Sequence, residues 1–302
     1  ISHEESEIQG GRDMSEYVIT TANNSDLPES YYAEHNVGCT YLSYSMDGQN
    51  YSHENFLPVE EFYDKMRKGS MPTTAQVNPE AAKALMEPYL KEGKDILHIA
   101  FSSGLSGSYN SARIAGEELM EKYPDRKIIV LDSLAASLGQ GMIVYLAQQQ
   151  KEEGKSIDEV AQWVKDHRLN VVHAFTVDDL NHLYRGGRVS KTTAVVGGVL
   201  NIKPVLHVDN EGKLIPVGKV RGRKKSLLAL VDMMDQKLGS YKDSCDTIFV
   251  SHGDCIEDAQ FVIDKIKEKY PIKTVLVNYV GATIGAHSGP GTVALFFLGD
   301  ER

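Results

Sequence analysis

Cysteine is scarce in this chain, and long apolar runs are missing. The three cysteines, Cys39, Cys245 and Cys255, form no C-x-x-C pair. An odd and scattered set of this kind argues against a disulfide framework and against a cysteine zinc site, and it favours the reducing cytoplasm as the location. No run of about 18 apolar residues occurs, so we predict no transmembrane segment.

Motifs for nucleotides and metals are also missing. The chain contains no G-x-x-x-x-G-K-[ST] sequence, and no G-x-G-x-x-G follows a predicted strand, so neither a P-loop nor a dinucleotide site is expected. The histidines show no H-E-x-x-H or comparable spacing, and we predict no metal and no cofactor. A formal net charge of −10 argues against nucleic-acid binding, because that function needs a basic surface that attracts phosphates.

The order of the predicted elements favours an α/β fold with two domains. Strands alternate with helices from residue 17 to residue 167, a pattern typical of a parallel sheet. Later strands follow one another more closely, and residues 209–212 (Asp-Asn-Glu-Gly) have the composition of a hairpin turn. We therefore predict an N-terminal parallel-sheet α/β domain over residues 14–168 and a C-terminal α+β domain with a mixed or antiparallel sheet over residues 169–302.

The length and the first residues of the chain fit this division. A chain of 302 residues exceeds the usual size of one domain. Residues 1–13 are polar and contain no apolar core of a secretory signal, so we expect a tail or extension there, with Met14 as the natural start.

Hydroxyl-rich loops follow the predicted parallel strands at residues 23–26, 102–108 and 132–137. In open parallel sheets, ligands bind beyond the carboxyl ends of the strands. Residues 102–108 (Ser-Ser-Gly-Leu-Ser-Gly-Ser) place hydroxyls at a predicted helix start, which is either an anion site or a simple cap. The segment around Ser106 misses the nucleophile motif G-x-S-x-G by one position, so a serine hydrolase is only weakly supported.

Residues 281–291 hold four glycines and one proline around His287. This composition predicts neither helix nor strand, because glycine permits backbone conformations that are closed to other residues. Two interpretations remain open. The segment is either a turn before the apolar strand at residues 292–298 or a tight loop that directs His287 and nearby N–H groups at a ligand.

Two basic segments stand out in an acidic chain. Arg185 and Arg188 flank a Gly-Gly pair, which suits either a surface loop or an anion contact. A second group lies at a predicted helix start and is either a solvated basic face or a docking surface for an anionic ligand or acidic partner. Its members are Lys219, Arg221, Arg223, Lys224 and Lys225.

Six segments together resemble the DegV family of bacterial fatty-acid-binding proteins. They occur in the family's order and span nearly the whole chain from Met14. They are residues 72–76 (PTTAQ), 102–109 (SSGLSGSY), 132–133 (DS), 183–188 (LYRGGR), 202–206 (IKPVL) and 285–291 (GAHSGPG). One departure lies at residues 22–23, which are Ala-Asn where the family usually has Asp-Ser.

The resemblance implies a long-chain fatty acid, palmitate-like or oleate-like, in a buried apolar tunnel. It assigns the carboxylate to Thr74, Ser106 and His287. The supporting ligand contacts that it implies are Thr73, Ser102, Ser103, Gly104 and Ser288. Apolar residues that either line the tail channel or form plain core are Ala194, Val195, Val196, Val199, Leu200 and residues 293–298.

The resemblance also implies a lipid-binding subunit with no catalytic residue of its own. It would present the carboxylate to a separate ATP-dependent fatty-acid kinase subunit, which forms an acyl phosphate for phospholipid synthesis. Candidates for the face that meets this partner or its phosphates are Arg185, Arg188, Arg221 and Arg223. Two alternatives stay open: a small-carbonyl kinase subunit or hydrolase that uses His287 or Ser106 covalently, and a regulatory or scaffolding protein whose lipid is structural.

Overall fold

The computed structural model describes residues 15–191 and 201–302. Its strands, in chain order, are β1 (Tyr17–Ala22), β2 (Gly38–Thr40), β3 (Tyr44–Met46), β4 (Gln49–Tyr51), β5 (Thr73–Thr74), β6 (Asp95–Ala100), β7 (Ile128–Asp132), β8 (Val171–Thr176), β9 (Ile202–Val208), β10 (Leu214–Arg221), β11 (Thr247–His252), β12 (Thr274–Tyr279) and β13 (Val293–Leu298). Its helices are α1 (Glu29–Glu34), α2 (Val59–Arg67), α3 (Pro79–Lys91), α4 (Ser108–Lys122), α5 (Leu138–Glu152), α6 (Ile157–His167), α7 (Asn181–Arg185), α8 (Arg223–Lys237), α9 (Ile256–Lys269) and α10 (Ala282–Ser288).

The first sheet is parallel throughout, with the strand order β2-β1-β6-β7. Every residue of β1 and of β6 is buried. Continuous burial of this kind is typical of a parallel strand that is covered on both faces, and it explains why these strands are mostly apolar and β-branched, with Asp95 and His98 as the charged or polar exceptions in β6. The carboxyl ends of the four strands meet at one edge, where the loops after β1, β6 and β7 emerge.

The second sheet has six strands in the order β10-β9-β8-β13-β11-β12. Only β11 and β12 pair in parallel, and the other neighbours are antiparallel. The predicted fold class is therefore confirmed: a parallel N-terminal sheet and a mixed, mostly antiparallel C-terminal sheet. The hairpin at residues 209–212 joins β9 to β10 as predicted, and Gly212 adopts a φ of +75° that suits glycine.

A small third sheet, in the order β4-β3-β5, packs with helix α2 against α10. Its core is aromatic, with Tyr44 stacked on Tyr51 and meeting the ring of Phe62 edge on. Ala286 of α10 belongs to this cluster. The Tyr63 hydroxyl donates a hydrogen bond to the Val280 carbonyl just before α10. The small sheet and its aromatic core thus connect β5, which carries Thr74, to helix α10.

Helix α5 lies between the two large sheets and contacts strands of both. Residues 138–144 are all buried, as expected for a helix that is covered on every side. Its glycines allow this close packing, because a Cβ on Gly139 would overlap the His173 ring and a Cβ on Gly141 would lie 2.5 Å from the Ser25 carbonyl oxygen. One hydrophobic core therefore includes Ile19 of the first sheet and Phe296 of the second.

The predicted division at residue 168 falls in the turn Arg168–Asn170 between α6 and β8. Because the two sheets share a core through α5, the division into residues 14–168 and 169–302 stays a proposal. The prediction of a tail at residues 1–13 and the tail-channel residues Ala194, Val195, Val196, Val199 and Leu200 lie outside the described ranges. Within those ranges, no helix is both long and apolar enough to cross a bilayer.

The prediction that residues 281–291 form neither helix nor strand was wrong. Residues Ala282–Ser288 form α10, with Gly281 and Gly289 at its two ends and Gly285 within it. Gly285 lies inside the helix because its missing side chain leaves room for the Tyr63 hydroxyl. Packing against α2 and β5 thus outweighs the low helix propensity of glycine. The sequence pattern of residues 38–46 predicts one strand, but the segment forms two short strands, β2 and β3.

Thr20 on β1 and His98 on β6 provide a test of the first sheet away from any cavity. Thr20 Oγ1 lies 2.8 Å from His98 Nδ1, and burial lowers the pKa of His98 to about 4. Valine has the shape of threonine without the hydroxyl. We expect Thr20→Val to leave the buried nitrogen without a partner and to lower the free energy of unfolding by about 1–3 kcal/mol. Urea denaturation measures this, and an unchanged midpoint would contradict it.

Candidate functional site

A cavity of about 330 Å³ lies where the loops of the first sheet face the second sheet. Apolar side chains form most of its wall, among them Phe101 after β6, Phe175 on β8 and Phe296 on β13. The polar side chains on the wall include Thr74, Ser106, Arg188 and His287. Ligand sites in proteins are commonly apolar cavities of this size with a few polar groups that fix orientation.

His287 occupies the last turn of α10 and faces Thr74 on β5. Thr74 Oγ1 and His287 Nε2 lie 2.7 Å apart. Burial, followed by repulsion from Arg188, lowers the pKa of His287 to about 4, so the ring is neutral near pH 7 and carries one proton. Gly186 lies against the other ring nitrogen, because a Cβ at this position would overlap His287 Nδ1. The Gly-Gly pair after α7 therefore allows the main chain to approach the imidazole closely.

The contacts of Ser106 allow its hydroxyl proton to be donated to a ligand. The Ser108 N–H donates to Ser106 Oγ at 3.1 Å, and the Ser106 and Ser108 hydroxyls lie 3.0 Å apart. Val77 N–H donates to Ser108 Oγ at 3.0 Å. Because Ser108 already accepts from Val77, its own proton can go to Ser106. Ser106 Oγ then accepts twice, and its own O–H is left to donate into the cavity.

Arg188 is a half-buried cation on the cavity wall. Its guanidinium donates to the Gly186 carbonyl, and burial lowers its pKa. Across residues 15–191 and 201–302 it forms no ion pair with a carboxylate. Its charge acts on His287, which places the two side chains near each other. A cation without a counter-ion beside neutral hydroxyl donors favours an anionic ligand group.

Ser102 and Gly104, which were predicted as supporting ligand contacts, lie against the β9–β10 hairpin. Ser102 is fully buried and donates to the Gly212 carbonyl at 2.7 Å. A Cβ on Gly104 would lie 2.6 Å from the Glu211 carbonyl oxygen. Both residues attach the loop at residues 102–108 to the β9–β10 hairpin, and neither lines the cavity.

Of the other predicted supporting residues, one lies on the cavity wall and two do not. Ser103 is exposed, and its N–H donates to the Asp132 carboxylate at 3.1 Å. Thr73 is also exposed and pairs with β3, so neither side chain lies on the cavity wall. Ser288 does lie on the wall and is buried, and its hydroxyl has no hydrogen-bond partner among the described residues.

The four predicted partner-face arginines have different surroundings. Arg188 lies on the cavity wall, as described above. Arg223 donates to the carboxylates of Asp178 and Asp258, each at 3.0 Å, so it links the start of α8 to the segment after β8 and to α9. Arg185 is exposed and contacts His182, and Arg221 is exposed at the end of β10. Arg185 and Arg221 are thus the two of the four that are open to a partner.

Asn24 and Ser137 also lie on the wall, in two of the hydroxyl-rich loops that the sequence indicated, whereas His173 was not predicted as a wall residue. His173 Nδ1 lies 3.1 Å from the Val171 carbonyl oxygen, and its Nε2 accepts from Ala136 N–H at 3.2 Å. Both ring nitrogens are thereby occupied, and the ring acts as an aromatic wall. No sequence signal distinguishes this histidine, because β8 is buried on both faces.

The described part of the chain holds no group of three or more His, Cys, Asp and Glu side chains that is suited to a metal ion. The cavity therefore offers hydroxyl donors, a neutral imidazole and one guanidinium to a ligand. This set can bind an anionic head group at one part of the wall while apolar side chains cover a tail.

Gly186→Ala tests the close approach to His287. We expect the added Cβ to displace the imidazole from Thr74, which will change the histidine ring resonances in long-range ¹H–¹⁵N spectra. Gly187→Ala is the matched control, because Gly187 has a φ of +76° but no neighbour near its Cβ. Both variants should lose about 1–3 kcal/mol of stability, through overlap in the first and backbone strain in the second. Unchanged ring resonances in Gly186→Ala would contradict the packing described.

Comparisons with known proteins agree with this architecture. A family model described as "Uncharacterised protein, DegV family" matches residues 17–300. A DegV domain-containing protein of Clostridium perfringens is 45% identical over 291 residues, which cover 96% of this chain and 99% of that protein. The structure "Fatty Acid Binding of a DegV family Protein from Thermus thermophilus" has a TM-score of 0.83 at 29% identity and covers 94% of this chain and 99% of its own.

A DegV family protein of Ruminococcus gnavus, whose structure is described with vaccenic acid, has a TM-score of 0.82 at 25% identity. It covers 94% of this chain and 100% of its own. The matches extend over both large sheets and over the loops that form the cavity. The chain belongs to the DegV family.

Proposed function

We propose that this chain binds a long-chain fatty acid, with the tail in the cavity and the carboxylate at Thr74, Ser106 and His287. The observation that carries the proposal is the Thr74–His287 pair beside the Ser106 hydroxyl on a mostly apolar wall. The similar proteins of Thermus thermophilus and Ruminococcus gnavus are described with fatty acids, which supports the same ligand class here.

The tail supplies most of the affinity and the head group fixes the orientation. Burial of about 14 methylenes at about 0.8 kcal/mol each contributes on the order of 11 kcal/mol. A hydrogen bond to a charged group contributes about 1.5–3 kcal/mol, and a buried carboxylate without partners costs more than that. The hydroxyl donors are therefore needed chiefly to hold the charged end in one place.

Two hydroxyl groups donate to the head group in this proposal, and His287 orients one of them. A neutral His287 that donates from Nε2 to Thr74 Oγ1 leaves the Thr74 O–H free for one carboxylate oxygen. The Ser106 O–H is free for the other oxygen. Arg188 adds a positive field from the wall, so the ligand is held as an anion without a full ion pair.

We further propose that the chain is a binding subunit that presents its ligand to an ATP-dependent kinase. The chain lacks a P-loop and a dinucleotide motif, so phosphorylation of the bound carboxylate needs a separate nucleotide-binding partner. Arg185 and Arg221 are exposed candidates for the face that meets it. In this proposal the protein works in the bacterial cytoplasm and supplies acyl phosphate for phospholipid synthesis.

Covalent catalysis by Ser106 or His287 is less well supported by the contacts. The Ser106 hydroxyl contacts Ser108 rather than a base. His287 pairs with Thr74, and no carboxylate among the described residues orients its ring. A cavity with apolar walls also suits an acyl tail better than a small carbonyl compound.

Head-group selectivity tests the proposed site. We expect Thr74→Val and Ser106→Ala each to weaken palmitate binding by about 10–100-fold, because each removes one donor to the carboxylate. Affinity for hexadecanol, which has the same tail without the charge, should change little. Isothermal titration after delipidation measures both ligands. Thr73→Val is the matched control, because Thr73 is exposed and lies off the wall.

Equal losses for palmitate and hexadecanol would contradict the assigned head-group site. An organic extract of the untreated protein without stoichiometric fatty acid would count against the ligand class itself. The same variants test the partnership with a kinase subunit. The subunit should phosphorylate fatty acid that is bound to Thr73→Val, and phosphorylation should fall in Thr74→Val and Ser106→Ala because they bind the acid more weakly.

The pKa of His287 predicts a pH dependence. Its pKa is about 4 in the folded protein, below the ordinary value of 6.5, so the unfolded chain takes up the proton first as pH falls. The free energy of unfolding should therefore decrease between pH 6.5 and pH 4, and the decrease should be smaller in His287→Gln. Denaturation of both proteins at several pH values measures the difference. Identical pH slopes would contradict burial of a neutral ring.

A further inference from the structure

A buried carboxylate outside the head-group site joins three segments of the chain. Asp26 follows β1 and is only 5% exposed. Its Oδ2 accepts from the Ser137 hydroxyl at 2.6 Å, and its Oδ1 accepts from the Gly281 N–H at 3.1 Å. Ser137 immediately precedes α5, and Gly281 immediately precedes α10. One side chain therefore connects the end of the first strand to the starts of both helices.

Further contacts surround the same carboxylate. The Asn278 side-chain amide donates to the Asp26 main-chain oxygen at 2.8 Å. The Ser137 and Ser251 hydroxyls lie 2.9 Å apart, which extends the network to β11. These bonds cross between the two large sheets, so Asp26 is placed where a shift of one sheet would be transmitted to α10.

The local backbone is shaped for this contact. Asp26 and Ser137 have φ values of 55° and 53°, in the left-handed region that residues with a side chain rarely adopt. A Cβ on Gly281 would lie 2.8 Å from Asp26 Oδ1, so glycine is needed for the approach. Both residues of the Ser137–Asp26 hydrogen bond thus have an unfavourable backbone conformation. This indicates that the contacts between them offset the backbone strain.

We propose that Asp26 is a positioning residue that fixes the first turn of α10 and thereby holds His287 at Thr74. The inference rests on the proposed fatty-acid function, because the consequence is selectivity for a carboxylate. Helix α10 has only seven residues, and His287 is the sixth. A helix this short moves as one rigid unit. A displacement of its first turn therefore also displaces the His287 imidazole in its last turn.

Asparagine separates position from charge at this site. Its amide oxygen can accept from Gly281 as Asp26 Oδ1 does, and its NH₂ can donate to the Ser137 hydroxyl, which then donates to Ser251. Burial raises the pKa of Asp26 to about 7, and the tyrosines Tyr32 and Tyr63 lie nearby, so a neutral side chain of this shape suits the surroundings. Leucine has a similar size but removes both acceptors.

The test is the ratio of palmitate affinity to hexadecanol affinity, measured by titration on delipidated full-length protein. We expect the ratio to fall about tenfold or more in Asp26→Leu and to stay within about twofold of wild type in Asp26→Asn. Gly281→Ala gives a second route, because its Cβ pushes against Asp26 Oδ1. It should lower the ratio even if Asp26→Leu fails to fold.

Thr20→Val is the stability control, since it breaks a buried bond of the first sheet that does not contact α10. It should lower the denaturation midpoint and leave the ratio unchanged. A ratio that survives both Asp26→Leu and Gly281→Ala would overturn this proposal alone, as would an Asp26→Asn protein that loses the ratio completely. A wild-type protein without preference for the acid would instead overturn the fatty-acid function on which the proposal rests.

Discussion

The hydrogen bond between Thr74 and His287 joins residues 213 positions apart and defines the polar part of the cavity. It requires that the two-residue strand β5 and the short helix α10 be held at a fixed separation. Neither element is stable alone, because a strand of two residues and a helix of seven make too few internal bonds. Their geometry therefore depends on the elements that pack against them. These are the aromatic core of the third sheet and the hydrogen bonds of Asp26.

The shared core around α5 explains how a cavity can exist in so closely packed a molecule. The first sheet ends in loops with small and hydroxyl side chains, whereas the second sheet presents Phe175 and Phe296 towards them. Helix α5 fills the space on one side, and its glycines allow it to lie directly on His173 and Ser25. The space that remains beside the helix has an apolar wall, and its polar groups come from loops and helix ends that surrounding hydrogen bonds hold in place.

The sequence predicted the large sheets well because most of their strands are short, largely apolar runs with polar exits. The sequence patterns of residues 171–176 and 202–208 each predict a strand, and β8 and β9 have these bounds. Helix α10 was missed because its stability comes from Tyr63 and Ala286 packing, which no local pattern records. The residues proposed for the head group, Thr74, Ser106 and His287, were indicated by the family resemblance, and the structure places all three on the wall of one cavity. Arg188 and Arg223 have similar sequence contexts. Their surroundings differ because Arg223 donates to the carboxylates of Asp178 and Asp258, which are distant from Arg223 in sequence and could not be predicted as partners.

A crystal structure with a terminally brominated palmitate tests the central claim most directly, because the bromine marks the tail and density shows the carboxylate. The account predicts carboxylate oxygens at hydrogen-bond distance, about 2.5–3.0 Å, from Thr74 Oγ1 and Ser106 Oγ, with the bromine among the apolar wall residues. A chain bound in the reverse direction would contradict it. So would a chain bound in the polar groove that Lys94, Lys151 and Lys155 line on the far edge of the first sheet.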